Sequence, residues 1–219
     1  MKVSSSKEKI LKKIREALSN PVPLPFPKSE GTASVFPAPT EDLELLFAEE
    51  FTKLLGKFAF CMNEDDLQMQ LKSLIKQKKW DNIYCVEKNL KKMFGSGNFP
   101  QMNQSSLAEC DACITSCQFL IARTGANVMS SAQESGRTVS AYSPVHICIA
   151  YVGQLVYDTR DALKITKEKY GNNLPSFITF AAGPSRTADI EKTLVVGVHG
   201  PKEVYVFLVD DPVNEQEQF

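Results

Sequence analysis

One segment, residues 145–152, limits the folds open to this chain more than any other. It reads Val-His-Ile-Cys-Ile-Ala-Tyr-Val, so nearly every residue is apolar and several are branched at Cβ. A half-exposed strand alternates apolar and polar residues, whereas a continuous apolar run is typical of a strand covered on both faces. Such strands occur mainly in parallel sheets flanked by helices. The segment therefore predicts a buried central strand of an α/β domain.

Helical and strand patterns alternate on both sides of this segment. Further strands are predicted at residues 58–61, 83–86, 111–121, 177–180 and 204–209. Between them, apolar residues spaced three and four apart predict helices, one of which follows Asn63 and another Asp158. Alternation of this kind favours an α/β fold, here a Rossmann-like three-layer sandwich with a mainly parallel sheet.

The first 39 residues have a different pattern. Four apolar side chains fall on one stripe of a predicted helix over about residues 6–19: Ile10, Leu11, Ile14 and Leu18. Six prolines follow before residue 40 and predict a stiff, extended connector. The apolar stripe needs a partner, so we expect this N-terminal helical arm to pack on another copy of the chain, as in a homo-oligomer, or to fold back.

Length and hydrophobic content are those of a chain with one main domain. At 219 residues and 43% hydrophobic, the chain can bury one sizeable core. The predicted divisions are an arm and connector at residues 1–39, one domain at residues 40–211 and an acidic tail at residues 212–219.

Several partner classes are not supported by the sequence. The lysines near the start are too sparse for a nucleic-acid patch and are not accompanied by aromatic residues. No run approaches the roughly 18 apolar residues that a membrane helix requires, and the start lacks a signal-peptide pattern. We therefore expect a cytoplasmic protein with no membrane span and no nucleic-acid partner.

The segment Cys110-x-x-Cys113-x-x-x-Cys117 invites an iron–sulfur interpretation. The residues around Cys113 and Cys117, however, are those of a strand entering the core, and an extended strand holds these two thiols too far apart for one metal. Buried free thiols explain the pattern, so we expect no metal site in this chain.

The stretch 182–191, Ala-Gly-Pro-Ser-Arg-Thr-Ala-Asp-Ile-Glu, is the strongest candidate for a binding site. Gly183 and the proline after it break an apolar strand, and Ser185 or Thr187 can then cap a helix. Free backbone N–H groups at such a helix start, with Arg186 beside them, can hold a carboxylate or phosphate. The alternative is a simple connection from a strand to a helix.

Other segments add candidate ligand-binding residues. Thr124 and Gly125 follow an apolar strand, where glycine allows either a close approach to a ligand or a bend. Arg137, in a polar glycine-containing loop, can bind a carboxylate. His199 lies between two glycines and can titrate near neutrality, whereas His146, in the apolar run, is expected to be a hydrogen-bonded core residue.

Segments 122–126, 183–191 and 197–203 together resemble the LUD (lactate utilisation) domain of the LutC/YkgG type. The match runs in order from about residue 41 to residue 211. The resemblance implies a fold of the sugar-isomerase and CoA-transferase type (NagB/RpiA/CoA transferase-like). It also implies a component of an L-lactate utilisation system that oxidises lactate to pyruvate. Iron–sulfur partner proteins would carry the redox centres, and this chain would bind a small anionic ligand or dock the partners.

Two enzymatic interpretations compete with that one. A stand-alone acyl or CoA transferase of this broad fold would use a glutamate nucleophile, but Arg123 stands where many LUD sequences have Glu before Thr-Gly. Glu134 is then either a replacement acid or part of a solvated loop. A folate cyclo-ligase-like enzyme would need a nucleotide site, and neither a Gly-x-Gly-x-x-Gly nor a P-loop motif is present. We therefore assign no cofactor and no catalytic residue.

Deletion of residues 1–38 tests the predicted arm. We expect the remaining chain to keep a cooperative thermal transition, because the arm lies outside the predicted core, and to change in oligomer mass or partner binding. Thermal melts and light scattering measure both properties. Loss of the folded domain would instead show that the arm completes the core.

Overall fold

The computed structural model describes residues 5–19, 36–95, 97–103, 106–187, 195–196 and 200–210. The chain divides into two units, Met1–Ala38 and Pro39–Phe219. In the first unit, helix α1 spans Ser5–Ser19, and its apolar side chains are exposed. No described helix is long and apolar enough to cross a membrane. The predicted tail, residues 212–219, lies outside the described residues.

The second unit contains five helices and eleven strands among its described residues. The helices are α2 (Leu43–Lys53), α3 (Glu64–Lys78), α4 (Lys88–Phe94), α5 (Val139–Tyr142) and α6 (Thr159–Tyr170). The first six strands are β1 (Lys57–Cys61), β2 (Ile83–Tyr84), β3 (Ala112–Ser116), β4 (Phe119–Ile121), β5 (Ala126–Ser130) and β6 (Val145–Tyr151). The others are β7 (Leu155–Val156), β8 (Ile178–Ala181), β9 (Arg186–Thr187), β10 (Val195–Val196) and β11 (Glu203–Val209).

The predicted helix starts are confirmed at two positions. Asn63 precedes α3, and its side chain accepts a hydrogen bond from the backbone N–H of Asp66. Asp158 precedes α6, where its side chain and that of Asp161 form a reciprocal capping box. In both cases a short polar side chain satisfies a backbone donor that has no partner inside the helix.

A five-stranded parallel sheet forms the centre of this unit, in the order β1-β11-β6-β3-β2. Strand β6, the apolar run of the sequence, lies in the middle of it. Its alternate residues face opposite sides: Ile147 and Ile149 pack with α3 and α4, whereas Cys148 and Ala150 face the other layer. The predicted α/β fold with a mainly parallel sheet is confirmed.

A second sheet covers part of the other face, in the order β7-β4-β5-β8, and the sequence did not reveal it. Helix α2 lies in the same layer, and α6 packs on the outer side of this sheet through Ala162. The prediction of one strand over residues 111–121 is wrong. The chain leaves the central sheet after Ser116 and enters the second sheet at Phe119, with Cys117 and Gln118 between them.

Two hydrogen bonds, one from a side chain and one from the backbone, hold this crossing between the sheets. Gln154 Nε2 donates to the carbonyl of Cys117 at 2.6 Å, and Gln118 donates its backbone N–H to Val128 at 2.7 Å. The carbonyl of Cys117 and the N–H of Gln118 therefore both have partners where the hydrogen-bond ladder of the sheet is interrupted.

Two glycines allow loops to pack directly on the end of α2. Gly125 has φ +57°, and a Cβ there would lie 2.5 Å from the backbone nitrogen of Phe51. Gly183 has φ +73°, and its Cβ would lie 2.5 Å from the carbonyl oxygen of Leu54. Contacts this short exclude any side chain, and the positive φ angles favour glycine as well. These positions therefore require glycine for packing.

We expect Gly125→Ala to lower the free energy of unfolding by about 2–4 kcal/mol, from left-handed strain plus overpacking. Gly136→Ala is the matched control, because Gly136 also has a positive φ but a Cβ added there would meet no atom within 4 Å. The control substitution should lower the free energy of unfolding by only about 1–2 kcal/mol. Urea unfolding measures both, and equal losses would show that backbone strain alone explains the effect.

Candidate functional site

A cavity of about 280 Å³ lies between the central sheet and the second sheet. His146 and Val204 line it at the amino ends of β6 and β11, and Met129 and Thr179 line it from the second sheet. Open parallel sheets usually bind ligands at their carboxyl edge. This cavity opens instead beside the amino ends of two central strands, where loop residues 182–185 and 200–201 approach them.

Arg137 supplies positive charge at the cavity. Its side chain is exposed, donates from Nη2 to the hydroxyl of Ser176, and lies with Cζ 5.8 Å from the centre of the Phe177 ring. These contacts orient the guanidinium without neutralising it. No carboxylate within the described part of the chain forms an ion pair with Arg137. The remaining N–H groups can bind an anionic ligand.

His146 is a buried polar residue of the cavity wall. It is 1% exposed, and its Nε2 lies 2.9 Å from the hydroxyl oxygen of Thr115 on the neighbouring strand. Burial lowers the pKa of His146 to about 4, because the apolar surroundings disfavour the charged ring. The imidazole is therefore neutral at physiological pH and presents hydrogen-bonding groups rather than charge.

The loop at residues 182–185 forms another wall of the cavity. Ser185 donates its backbone N–H to the carbonyl of Pro201 at 2.9 Å, and Lys202 donates in turn to Pro144 at 2.8 Å. These hydrogen bonds connect the loop at residues 182–185 and the loop at residues 200–202 to the chain just before β6. Of the predicted ligand-binding residues, Arg137, Gly183 and Ser185 line this cavity together.

Three other predicted residues lie elsewhere. Thr124 and Gly125 form the turn that packs against α2, and neither lines the cavity. Arg186 donates to the carbonyl oxygen of Leu54, so its guanidinium joins the loop to the end of α2. The side chain of Thr187 and all of His199 lie outside the described residues.

The prediction that Ser185 caps a helix is wrong. Arg186 and Thr187 form strand β9, which pairs antiparallel with Val195 and Val196. Extended backbone at these two residues cannot form the first helical turn after Ser185. The free backbone N–H groups expected at a helix start are therefore not formed there. The alternative cap, Thr187, concerns residues 188–194, which lie outside the described residues.

Arg123 does not line the cavity and pairs with an acidic side chain instead. Its Nη2 lies 3.1 Å from Asp158 Oδ1 in a partly buried ion pair at the start of α6. Glu134 is also engaged elsewhere: it accepts the backbone N–H of Lys88 at 2.6 Å, at the start of α4. Neither residue lines the cavity.

Sequence reasoning missed His146, Ser140 and Thr179 as cavity residues. A signal for His146 was present, because the period of two along β6 places it on the same side as Cys148 and Ala150. That side faces the second sheet. Since the second sheet was not predicted, the neighbours of His146 could not be identified.

All six cysteines are free and buried. Burial raises the pKa of the Cys113 thiol to about 12, and this thiol donates to the carbonyl of Val139 at 3.3 Å. Cys117 lies in the layer with α2, on the chain that leaves the central sheet. Across the described residues, no three His, Cys, Asp or Glu side chains are grouped so as to hold a metal ion.

The chain is similar to known proteins in both sequence and structure. The LUD domain family model matches residues 98–209, more than half of the chain. "Lactate utilization protein C" of Bacillus licheniformis is 34% identical over 119 residues, which cover 53% of this chain and 48% of that protein. "Lactate utilization protein C 1" of Bacillus mycoides is 38% identical over 103 residues, covering 46% and 44%. The chain spans about half the length of the curated relatives it matches.

The fold is also similar to a crystal structure of a DUF162 family protein from Deinococcus radiodurans. The TM-score is 0.58 at 17% sequence identity, and the match covers 79% of this chain and 99% of that chain. At this identity the similarity supports the α/β fold.

The buried imidazole predicts a pH dependence of stability. The unfolded chain binds a proton at His146 near pH 6.5, whereas the folded chain binds it only near pH 4. Stability from this group is therefore present above pH 6.5 and is lost as the pH falls towards 4, by about 3 kcal/mol.

Urea unfolding between pH 7 and pH 4 measures this loss, with His146→Gln as the comparison. The variant lacks the titrating ring, so its stability should decline less over the same range. Parallel declines in the two proteins would show that His146 is not the group responsible.

Proposed function

Because the chain belongs to the LUD domain family, we propose that it is a LutC-like component of an L-lactate utilisation system and that its cavity binds a small carboxylate. The observation that carries the binding proposal is Arg137, a guanidinium at the cavity with no acidic partner among the described residues. The names of the relatives support the choice of system.

The character of the cavity supports a small acid as ligand. Its volume of about 280 Å³ is at the low end for small-molecule sites, and none of the described residues that line it is acidic. Most of the wall is apolar, with hydroxyl groups on Ser140, Thr179 and Ser185. A carboxylate can bind Arg137 through charge-assisted hydrogen bonds while its short carbon chain contacts the apolar wall.

We further propose that separate iron–sulfur partner proteins carry the redox centres, as the family resemblance implies. The buried positions of Cys110, Cys113 and Cys117 support this division, because each thiol packs within the protein rather than facing a common point at the surface. Docking of those partners, and a homo-oligomer through the N-terminal arm, remain predictions. Cytoplasmic location is likewise a prediction.

An acyl or CoA transferase is the weaker alternative. Such an enzyme needs a carboxylate nucleophile at the ligand. Glu134 is bound by Lys88, and the residue at position 123 is an arginine that forms an ion pair with Asp158. A folate cyclo-ligase-like activity has no observation in its favour. The arrangement at the cavity is better suited to binding than to acyl transfer.

We expect Arg137→Ala to weaken binding of L-lactate by about 1.5–3 kcal/mol, the usual size of a charge-assisted hydrogen bond. Titration calorimetry with L-lactate, pyruvate and phosphate measures the change. Arg160→Ala is the matched control, because Arg160 is an exposed arginine on α6 that does not line the cavity.

Both variants should melt at nearly the same temperature as the wild type, since exposed arginines contribute little to stability. Unchanged lactate affinity in Arg137→Ala would refute carboxylate binding at this cavity. So would a wild-type protein that binds none of the three anions.

A further inference from the structure

Strand β8 forms an open edge of the second sheet. It lies at the end of the order β7-β4-β5-β8, and within the described residues no strand pairs with its other side. The carbonyl of Phe177, just before β8, accepts the backbone N–H of Ser131 at 3.0 Å. With the register of the two strands, this bond shows that Phe177, Thr179 and Ala181 direct their backbone groups towards β5.

The backbone groups of Ile178 and Phe180 therefore point to the free edge, because the hydrogen-bonding direction alternates along an antiparallel strand. Among the described residues, neither residue has a backbone hydrogen bond on that side. The side chain of Phe180 is 41% exposed, so the edge is open to solvent. A row of unpaired N–H and C=O groups can form hydrogen bonds with another strand.

The other edge strands of the two sheets are protected against such pairing. Strand β1 ends the central sheet, but it begins with Lys57, and the carbonyl of Phe60 accepts a hydrogen bond from Gln70 Nε2 at 2.9 Å. Strands β2 and β7 are only two residues long. Lysine side chains and short strands are common means of protecting an edge. Strand β8, Ile-Thr-Phe-Ala, is longer and has no charged side chain.

We propose that β8 pairs antiparallel with β8 of a second copy of this chain, so that the two four-stranded sheets join into one continuous sheet. Residues 171–185 contain no charged residue, so two identical edges can approach without like-charge repulsion. The register is self-complementary as well. A twofold axis at Thr179 places Ile178 opposite Phe180 of the second copy, and both residues already direct their hydrogen-bonding groups outward.

This pairing covers exposed apolar surface and brings two cavities together. On the side of α6, where Ile178 packs with Ala162, Phe180 contacts Ile178 of the second copy. On the opposite side, Thr179 lies beside Thr179 of the second copy. Because Thr179 lines the cavity, each cavity adjoins its twofold-related copy. The interface is separate from the N-terminal arm and does not depend on the ligand proposed for the cavity.

Analytical ultracentrifugation of the full chain over a range of concentrations tests the pairing. We expect the wild type to self-associate and Phe180→Lys to raise the dissociation constant of the dimer at least about tenfold, since it removes the aromatic contact and places two like charges near the axis. Leu45→Lys is the matched control, because Leu45 is an exposed apolar residue on α2, and it should leave the constant unchanged.

Thermal melts check that both variants are folded, as expected for changes at exposed side chains. A wild type that does not self-associate would overturn the inference. So would a dissociation constant that Phe180→Lys leaves unchanged or that both substitutions raise equally.

A cysteine at the axis tests the register without any change at Phe180. Thr179→Cys places two thiols at a non-hydrogen-bonded pair, where Cα atoms lie about 4.5 Å apart, within the range of a disulfide. We expect mild oxidation to give a covalent dimer that a reductant reverses. Ser176→Cys is the control, because this exposed residue lies far from its own copy in the proposed register. Failure of Thr179→Cys to cross-link, or equal cross-linking of both variants, would contradict the pairing.

Amide hydrogen exchange of the wild type distinguishes a second copy from another occupant of the edge. The N–H groups of Ile178 and Phe180 should be protected at concentrations at which the dimer forms, and they should exchange freely after dilution. Protection that does not change on dilution would place another segment of the same chain on β8 and overturn the inference. Free exchange at every concentration would overturn it as well.

Discussion

The end of helix α2 is the point on which the rest of this domain depends. Two turns from different parts of the chain pack directly on its backbone, one through Gly125 and the other through Gly183, and in both cases a Cβ would collide with main-chain atoms. Arg186 adds a hydrogen bond to the carbonyl of Leu54. Because α2 also packs on the central sheet through Phe47 and Phe51, these contacts hold the loop at residues 182–185 at a defined distance from the sheet. Since this loop forms one wall of the cavity, the same contacts position that wall.

The candidate site combines two unlike polar groups. Arg137 is exposed and carries the proposed binding of an anion, whereas His146 is buried and neutral. A neutral donor or acceptor in an apolar wall costs free energy when it meets the wrong partner. In the proposed function, Arg137 supplies charge at the cavity and His146 supplies a neutral polar group in its wall. Neither requires this chain to carry out the redox step.

Much of the central layer could be predicted from local patterns. The strand at residues 145–152 and the capped starts of α3 and α6 follow from apolar runs and from Asn63 and Asp158, because these signals act between near neighbours in sequence. The second sheet could not be predicted in the same way. Its strands are two to five residues long, and β4 follows β3 with only Cys117 and Gln118 between them. A run of apolar residues does not show where a chain changes sheets.

The sequence by itself determined the α/β class, the buried central strand, the resemblance to the LUD domain and the candidacy of Arg137, Gly183 and Ser185. Tertiary structure alone decided which of the candidates meet. It joined Arg137 and Ser185 at one cavity, placed Arg186 and Gly125 against α2, and brought Thr115 beside His146. The physical reason is that a residue's type and local spacing define its chemistry and its element. Its partners depend on contacts between residues far apart in sequence, and those are set only when the two sheets and α2 pack together.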